Sequence, residues 1–209
     1  MYQANGILTD DRAIAMPARA GETLFIEGEP CTSFLEIRHG VARAVDLTLG
    51  GERQVTAFFF PGEFLGLPLS RKHRYSAEAA SDLLYVRHSS LNWRSGMAQS
   101  GEAEDRLFSA VWQEERSFMD RGLFIGRVGA LARMAAFLLS SLPKCTESAG
   151  TIEFPLWQID IASYLATCPE TVCRNLRQLR EMKIIAMPRK DRLIVQDHAR
   201  LAVLAEGTH

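Results

Sequence analysis

Up to about residue 95, apolar residues come in short runs: Thr23 to Ile26, Phe34 to Ile37, Val41 to Leu47, Gln54 to Phe60 and Leu83 to Arg87. Glycines at 21, 28, 40, 50, 51 and 62 separate them at intervals of roughly a dozen residues, the pattern of an antiparallel sandwich or barrel. The Gly50-Gly51 pair marks a hairpin. From about Gly101 the period changes. Leu107, Phe108, Val111, Trp112, Glu115, Phe118, Met119 and Ile125 follow at three- and four-residue steps without a proline, which predicts one long helix. Its apolar stripe is too large for a lone surface helix. Two partners are open to it, its own β-domain or a second copy of the chain, and a dimer seam through Leu107, Val111, Phe118 and Ile125 is the expectation.

Past a glycine- and serine-containing stretch, Leu156 to Ile185 predicts two short helices around a tight turn. The first carries Ile159, Ile161, Ala162 and Leu165 at amphipathic spacing, and the second carries Val172, Leu176 and Leu179 on one face. Arg174, Arg177 and Arg180 fall largely on the opposite face. Many amphipathic helices bear arginines only because one side is wet, so the following segment decides. Ile184 to Gln196 is an apolar strand, a Pro-Arg-Lys-Asp turn and a second apolar strand: a β-hairpin wing with Arg189, Lys190 and Arg192 at its tip. Residues 168 to 200 hold eight basic and four acidic side chains. The whole chain carries −1, so this segment is at +4 and the remainder at −5. Such asymmetry suits a winged helix-turn-helix that meets double-stranded DNA while the rest stays repelled from it.

Composition narrows the remaining classes. With 209 residues, 47% apolar and 23% charged, the chain can bury two modest cores. The N-terminus lacks a secretory pattern, and the longest apolar run, Leu131 to Leu142, is broken by Arg133 and too short for a bilayer, so a cytoplasmic protein with no membrane contact is expected. Four scattered cysteines, Cys31, Cys145, Cys168 and Cys173, include no Cys-x-x-Cys pair. No cofactor or metal is expected. An enzyme, or a ligand-binding module with an accessory winged helix, is the other class open to such a chain. It lacks a phosphate-cradling glycine loop, a nucleophile elbow and a His-Glu-x-x-His pair. No catalytic residue is therefore assigned.

The order of parts and several local strings resemble the CRP/FNR family of bacterial transcription regulators over nearly the whole chain. Leu24 to Pro30 and Phe34 to Gly40 resemble the opening of that family's cyclic-nucleotide-binding-like β-roll, Gln54 to Gly66 and Tyr75 to Ala79 its later strands, and Gly126 to Leu139 its hinge and following helix. Pro169-Glu-Thr-Val-Cys-Arg174 is similar to the Pro-Glu-Thr-Val-Ser-Arg signature of its FixK-type members. The resemblance implies an α+β chain in three parts: a β-roll over 1–97, a dimerisation helix and hinge over 98–145, and a winged helix-turn-helix over 146–209. It implies a homodimer that acts on RNA polymerase and reads a TTGAT-like inverted repeat. Glu170 and Arg174 would enter the major groove, the glutamate accepting from a cytosine amino group and the arginine donating twice to guanine. Thr171, Cys173, Arg177, Arg189 and Lys190 complete the implied contact set, with Cys173 in place of the family's serine.

Sensing is less determined. Family members that bind cyclic AMP use a glycine-glutamate pair on the ribose and an arginine directly before serine-alanine on the phosphate. Gly62-Glu63 matches the first; Tyr75 stands before Ser76-Ala77 where the arginine belongs, and Arg74 is one residue early. A one-residue slip turns a strand side chain to the other face, so a pocket of Glu63, Arg74 and Ser76 lacks its cation. An iron–sulfur cluster of the FNR type would need several N-terminal cysteines, where only Cys31 stands, and a haem would need His39, His73 or His88 as ligand. Redox control through Cys168 and Cys173 has the better position, at and just inside the start of the second helix of the motif. Five residues of helix turn through about 500°, so the two thiols would act singly rather than as a disulfide.

Overall fold

The structure, a computed structural model, describes residues 14–91, 93, 101–141, 151–153, 157–189 and 192–207. The N-terminal part holds eight strands: β1 (Ala15–Ala18), β2 (Thr23–Phe25), β3 (Ser33–His39), β4 (Ala42–Leu47), β5 (Arg53–Phe59), β6 (Phe64–Leu65), β7 (Ser76–Ala79) and β8 (Leu83–Ser89). They form two four-stranded sheets, ordered β1-β8-β3-β6 and β2-β7-β4-β5. Alternation sorts the side chains. On β4 and β7 the cross-strand pairs Ala42–Ala79 and Ala44–Ala77 face inward, and Leu35, Ile37 and Tyr85 from the other sheet fill the same core. Small residues from one sheet leave room for large ones from the other. On the outer side of β7, Glu78 joins Arg43 of β4 at 2.7 Å and Arg53 of β5 at 2.6 Å. Burial raises the Glu78 carboxyl, and the two guanidiniums pull it below its ordinary value.

One chain reversal demands glycine. Gly40, between β3 and β4, has φ +81°, and a Cβ there would meet the Asp82 carbonyl at 2.1 Å. The Gly50-Gly51 hairpin is present as a loop over 48–52, closed by the Gly51 amide on the Thr48 carbonyl.

Helix α1 (Glu102–Ile125) follows the β-domain, then α2 (Ala130–Ser141). The C-terminal part comprises β9 (Thr151–Glu153), α3 (Gln158–Tyr164), α4 (Pro169–Glu181), β10 (Ile185–Arg189), β11 (Arg192–Val195) and α5 (His198–Glu206). Its sheet is ordered β10-β11-β9, antiparallel throughout. This is the expected α+β architecture, a β-roll, a long helix and a winged helix-turn-helix. The chain divides into two compact units, one up to Phe118 and one from Met119 together with Gln54–Thr56. That division falls inside α1, and the expected boundaries near 97 and 145 lie outside the described residues. No described helix is long and apolar enough to cross a membrane.

Two sides of α1 are apolar, and most residues of the expected seam lie on the side that packs on the β-domain. Leu107, 1% exposed, joins Phe34, Trp93 and Ala110 in a buried cluster against which Val111 packs. Phe118 meets Phe59 and Tyr75 edge-on, with ring centroids 5.9 and 4.9 Å apart. These three residues therefore serve the β-domain core. Ile125, the fourth, is half-buried. The free stripe is a different one: Phe108, Trp112, Met119 and Leu123, each more than half exposed. At about 100° per residue they lie within roughly 60° of arc.

Candidate nucleic-acid interface

Helix α4 begins at Pro169, whose fixed φ suits a first helical position, and Cys168 is its N-cap residue. Val172, Asn175, Leu176 and Leu179 are buried, which leaves Glu170, Cys173, Arg174, Arg177 and Arg180 exposed on the other side. Thr171 is half-buried; its hydroxyl lies 3.1 Å from the Cys168 thiol and accepts from Arg174 Nη2 at 3.2 Å. The Glu170 backbone N–H, and after it the Cys168 thiol, hold the Glu170 carboxyl below its ordinary value. Glu170 therefore presents an anionic acceptor, and Arg174, about one turn on, a forked donor.

The wing stands beside this face. Arg189 pairs in register with Arg192 at its tip, and both are exposed. Lys190 lies outside the described residues. Arg177 and Arg180 line an open groove with Ala186, Met187, Pro188 and Ile194 of the wing.

Three arginines to which sequence reasoning assigned no contact fix the motif in place. Arg121 of α1 donates to the Tyr164 carbonyl at 3.1 Å, and Arg133 of α2 donates to those of Leu165 and Ala166, both at 3.3 Å. The carbonyls at the end of α3 thus meet cations, as helix C-termini favour. Arg200 of α5 does the same for α4, donating to the Met182 carbonyl at 3.1 Å. The turn between α3 and α4 runs through Ala166 at φ +50°, in the left-handed region that costs a non-glycine residue strain.

Cys168 and Cys173 are both exposed and free, and Cys173 donates to Gln158 Oε1 at 2.6 Å. Cys31 is buried in the β-domain, and its thiol donates to the Gly66 carbonyl at 3.4 Å. Cys145 lies outside the described residues.

The three residues considered for an effector pocket each have partners of their own in the N-terminal part. Glu63 is buried and accepts from the Phe60 amide at 2.9 Å, closing its own turn. Ser76 accepts from the Glu27 amide at 3.0 Å. Arg74 reaches α1, where it pairs with Glu115 and, at 3.5 Å, with Glu114. Tyr75, at the position of the family's arginine, points inward. Its ring packs among Phe25, Phe59 and Phe118, and its hydroxyl donates to Glu114 Oε1 at 2.6 Å.

Glu114 went unremarked in the sequence, because an acid on a helix reads as a solvated face. It is fully buried and accepts from the amides of Gly66 at 2.8 Å and Leu67 at 3.1 Å as well as from Tyr75. Gly66 has φ +71°, and a Cβ there would stand 2.8 Å from the Phe25 ring, so glycine is needed to bring its amide to the carboxylate. Burial raises the Glu114 carboxyl despite these donors. It also raises Tyr75 well above its ordinary value, and the Glu114 charge adds to that effect, so the phenol remains a donor.

No group of three or more potential metal ligands occurs among the described residues. His73 is buried and stacked on Phe25 with ring centroids 4.0 Å apart, and burial lowers its pKa. His88 lies 3.0 Å from Glu36 in the core. His39 is exposed on the last residue of β3.

Two family descriptions match the chain, a cyclic nucleotide-binding domain over residues 16–99 and a Crp-like helix-turn-helix domain over residues 132–204. The nitrogen fixation regulation protein FixK of Bradyrhizobium diazoefficiens is 31% identical over 80% of this chain and 72% of its own length. FixK of Azorhizobium caulinodans is 30% identical over 90% of this chain and 77% of its own length. Among solved structures, FixK2 from Bradyrhizobium japonicum superposes with a TM-score of 0.83 at 29% identity, covering 92% of this chain and 96% of that one. The chain belongs to the CRP/FNR family and is a DNA-binding transcription regulator of the FixK/FNR type.

Proposed function

We propose that this regulator works as a homodimer, reads a TTGAT-like inverted repeat with α4, acts on RNA polymerase at the promoter and needs no cyclic nucleotide. The carrying observation is the exposed face of α4, where Glu170 and Arg174 stand free of the core one turn apart, flanked by Arg177, Arg180 and the wing arginines. Glutamate accepting from cytosine and arginine donating to guanine read one C·G step on both strands. Thr171, Cys173, Arg189 and Lys190 stand with them in the proposed contact set. Dimerisation is supported by the stripe Phe108, Trp112, Met119 and Leu123. Its steps of four, seven and four residues suit a helix pairing with a second copy of itself.

Independence from cyclic nucleotide rests on Tyr75, which stands where the family's phosphate-binding arginine is expected and gives its hydroxyl to Glu114 of α1, so that this position offers no cation to a phosphate. Oxidation of Cys173, exposed on α4, would place bulk and negative charge against DNA phosphates and oppose binding. Cys168 at the helix N-cap is the second candidate for such control. Catalysis forms no part of this reading.

The test compares affinities for a TTGAT inverted repeat carrying each single base substitution. Glu170→Ala is expected to relax discrimination at one base pair by about 1–3 kcal/mol and to leave nonspecific affinity intact. Arg189→Ala is expected to weaken all sequences alike and to flatten the salt dependence. Uniform loss in both variants would remove Glu170 from base readout.

A further inference from the structure

Helix α3 ends in a left-handed turn, where the Thr167 amide reaches back to the Ala162 carbonyl at 2.9 Å and the Ala166 amide to that of Ser163 at 3.4 Å. This pattern leaves the carbonyls of Leu165 and Ala166 to partners from outside the turn. Both accept from Arg133 Nη1, at 3.3 Å. The same guanidinium donates through Nε to the Arg127 carbonyl at 3.2 Å. Arg127 lies in the loop between α1 and α2. Its amide bonds back to Phe124 at 3.0 Å, that of Gly126 to Gly122 at 3.1 Å, and its side chain donates to the Ala205 carbonyl of α5 at 2.8 Å. One planar fork thus joins the loop after α1 to the turn before α4. Nε and Nη1 are fixed relative to each other, so a shift of the Arg127 carbonyl changes where Leu165 and Ala166 can bond. Only Thr167 and Cys168 separate Ala166 from Pro169, the first residue of α4.

We infer that Arg133 is a positioning residue for DNA binding, which ties the placement of α4 to the conformation of the loop over 126–129. This role rests on the reading of α4 as the recognition helix. A displacement of that loop reaches Glu170 and Arg174 as a change in the position of their helix. By reciprocity, DNA held by α4 steadies the loop at Gly126 and Arg127.

The test uses the reduced full-length protein with an operator duplex and a scrambled one at fixed salt, and amide hydrogen exchange read at Gly126, Arg127 and Thr167. Arg133→Lys keeps the charge and loses the fork. It is expected to weaken operator binding about 10-fold and to leave affinity for the scrambled duplex within about 2-fold, since nonspecific binding follows charge. Gly129 has φ +87° and open space where a Cβ would stand, so Gly129→Ala strains the loop without a clash. It should weaken operator binding in the wild-type background and have no further effect in Arg133→Lys. Operator added to the wild type should slow exchange at Gly126 and Arg127, and should not do so in Arg133→Lys. Arg200→Gln, which removes the donor to the Met182 carbonyl at the other end of α4, should weaken operator binding yet keep that slowing.

Unchanged operator preference in Arg133→Lys, additive losses with Gly129→Ala, no slowing in the wild type, or slowing that survives in Arg133→Lys would each overturn the inference. With no DNA present, Gly129→Ala should quicken exchange of the Thr167 amide only where Arg133 is in place. That arm decides the coupling even if the wild type failed to prefer the operator over the scrambled duplex, a result that would remove the recognition-helix reading.

Discussion

The Tyr75 hydroxyl donates to Glu114 across 2.6 Å, linking the loop before β7 to the long helix by way of a carboxylate with no solvent exposure. Burial gives this carboxyl a folded-state pKa above its ordinary value. A proton is therefore held more tightly in the folded than in the unfolded chain. The stabilisation this lends is present in acid and is lost as pH rises from the ordinary carboxylate range through the raised value. Glu114→Gln keeps an oxygen for the same donors and carries no charge. Its unfolding midpoint is expected to gain on the wild type as pH rises through that window, and parallel pH profiles would contradict the assignment.

Phe118 and Met119 are neighbours in α1 with opposite surroundings, one against Phe59 and Tyr75 and the other 56% exposed. Met119→Glu is expected to give a folded monomer by sedimentation, with an unfolding midpoint that no longer depends on subunit concentration. Phe118→Ala is expected to cost about 2–4 kcal/mol of stability through the cavity it leaves, while the chain still dimerises. A dimeric Met119→Glu protein would move the interface off this stripe.

Ala166 turns the chain between α3 and α4 at φ +50°, and its carbonyl accepts from Arg133. Ala166→Gly relieves the left-handed strain without touching that hydrogen bond. It is expected to raise stability by up to about 1 kcal/mol, the greater flexibility of unfolded glycine offsetting part of the gain. Denaturant titration reads this, and a destabilised variant would show that the alanine methyl contributes packing of more weight than the strain.

The winged motif was legible in the sequence because its signals are local: amphipathic spacing, the proline start of α4, and two apolar runs about a basic turn. The seam was not. Leu107 and Phe108, or Phe118 and Met119, are adjacent in sequence, so a helix apolar on two sides offers the 3.6-residue period two stripes at once. Only the packing of Leu107 and Phe118 on the β-domain tells them apart. Strands β1 and β6, four and two residues long, carry too little alternation to see, and β9 owes its existence to pairing with β11 some forty residues on. Arg133 read as a break in an apolar run, and its hydrogen bonds to the end of α3 exist only in three dimensions. The misplacement of Arg74, by contrast, was visible as a one-residue slip, and its pairing with Glu114 and Glu115 follows from the inward turn of Tyr75.

The most direct measurement is the affinity of the purified chain, with no small molecule added, for a TTGAT inverted-repeat duplex and for a scrambled duplex at one fixed salt concentration. The repeat is expected to bind at least about a thousand-fold more tightly. Millimolar cyclic AMP or cyclic GMP should leave both affinities unchanged. Equal affinity for the two duplexes, or a preference that emerges only when a cyclic nucleotide is supplied, would contradict the reading of this protein as a regulator that binds its operator without one.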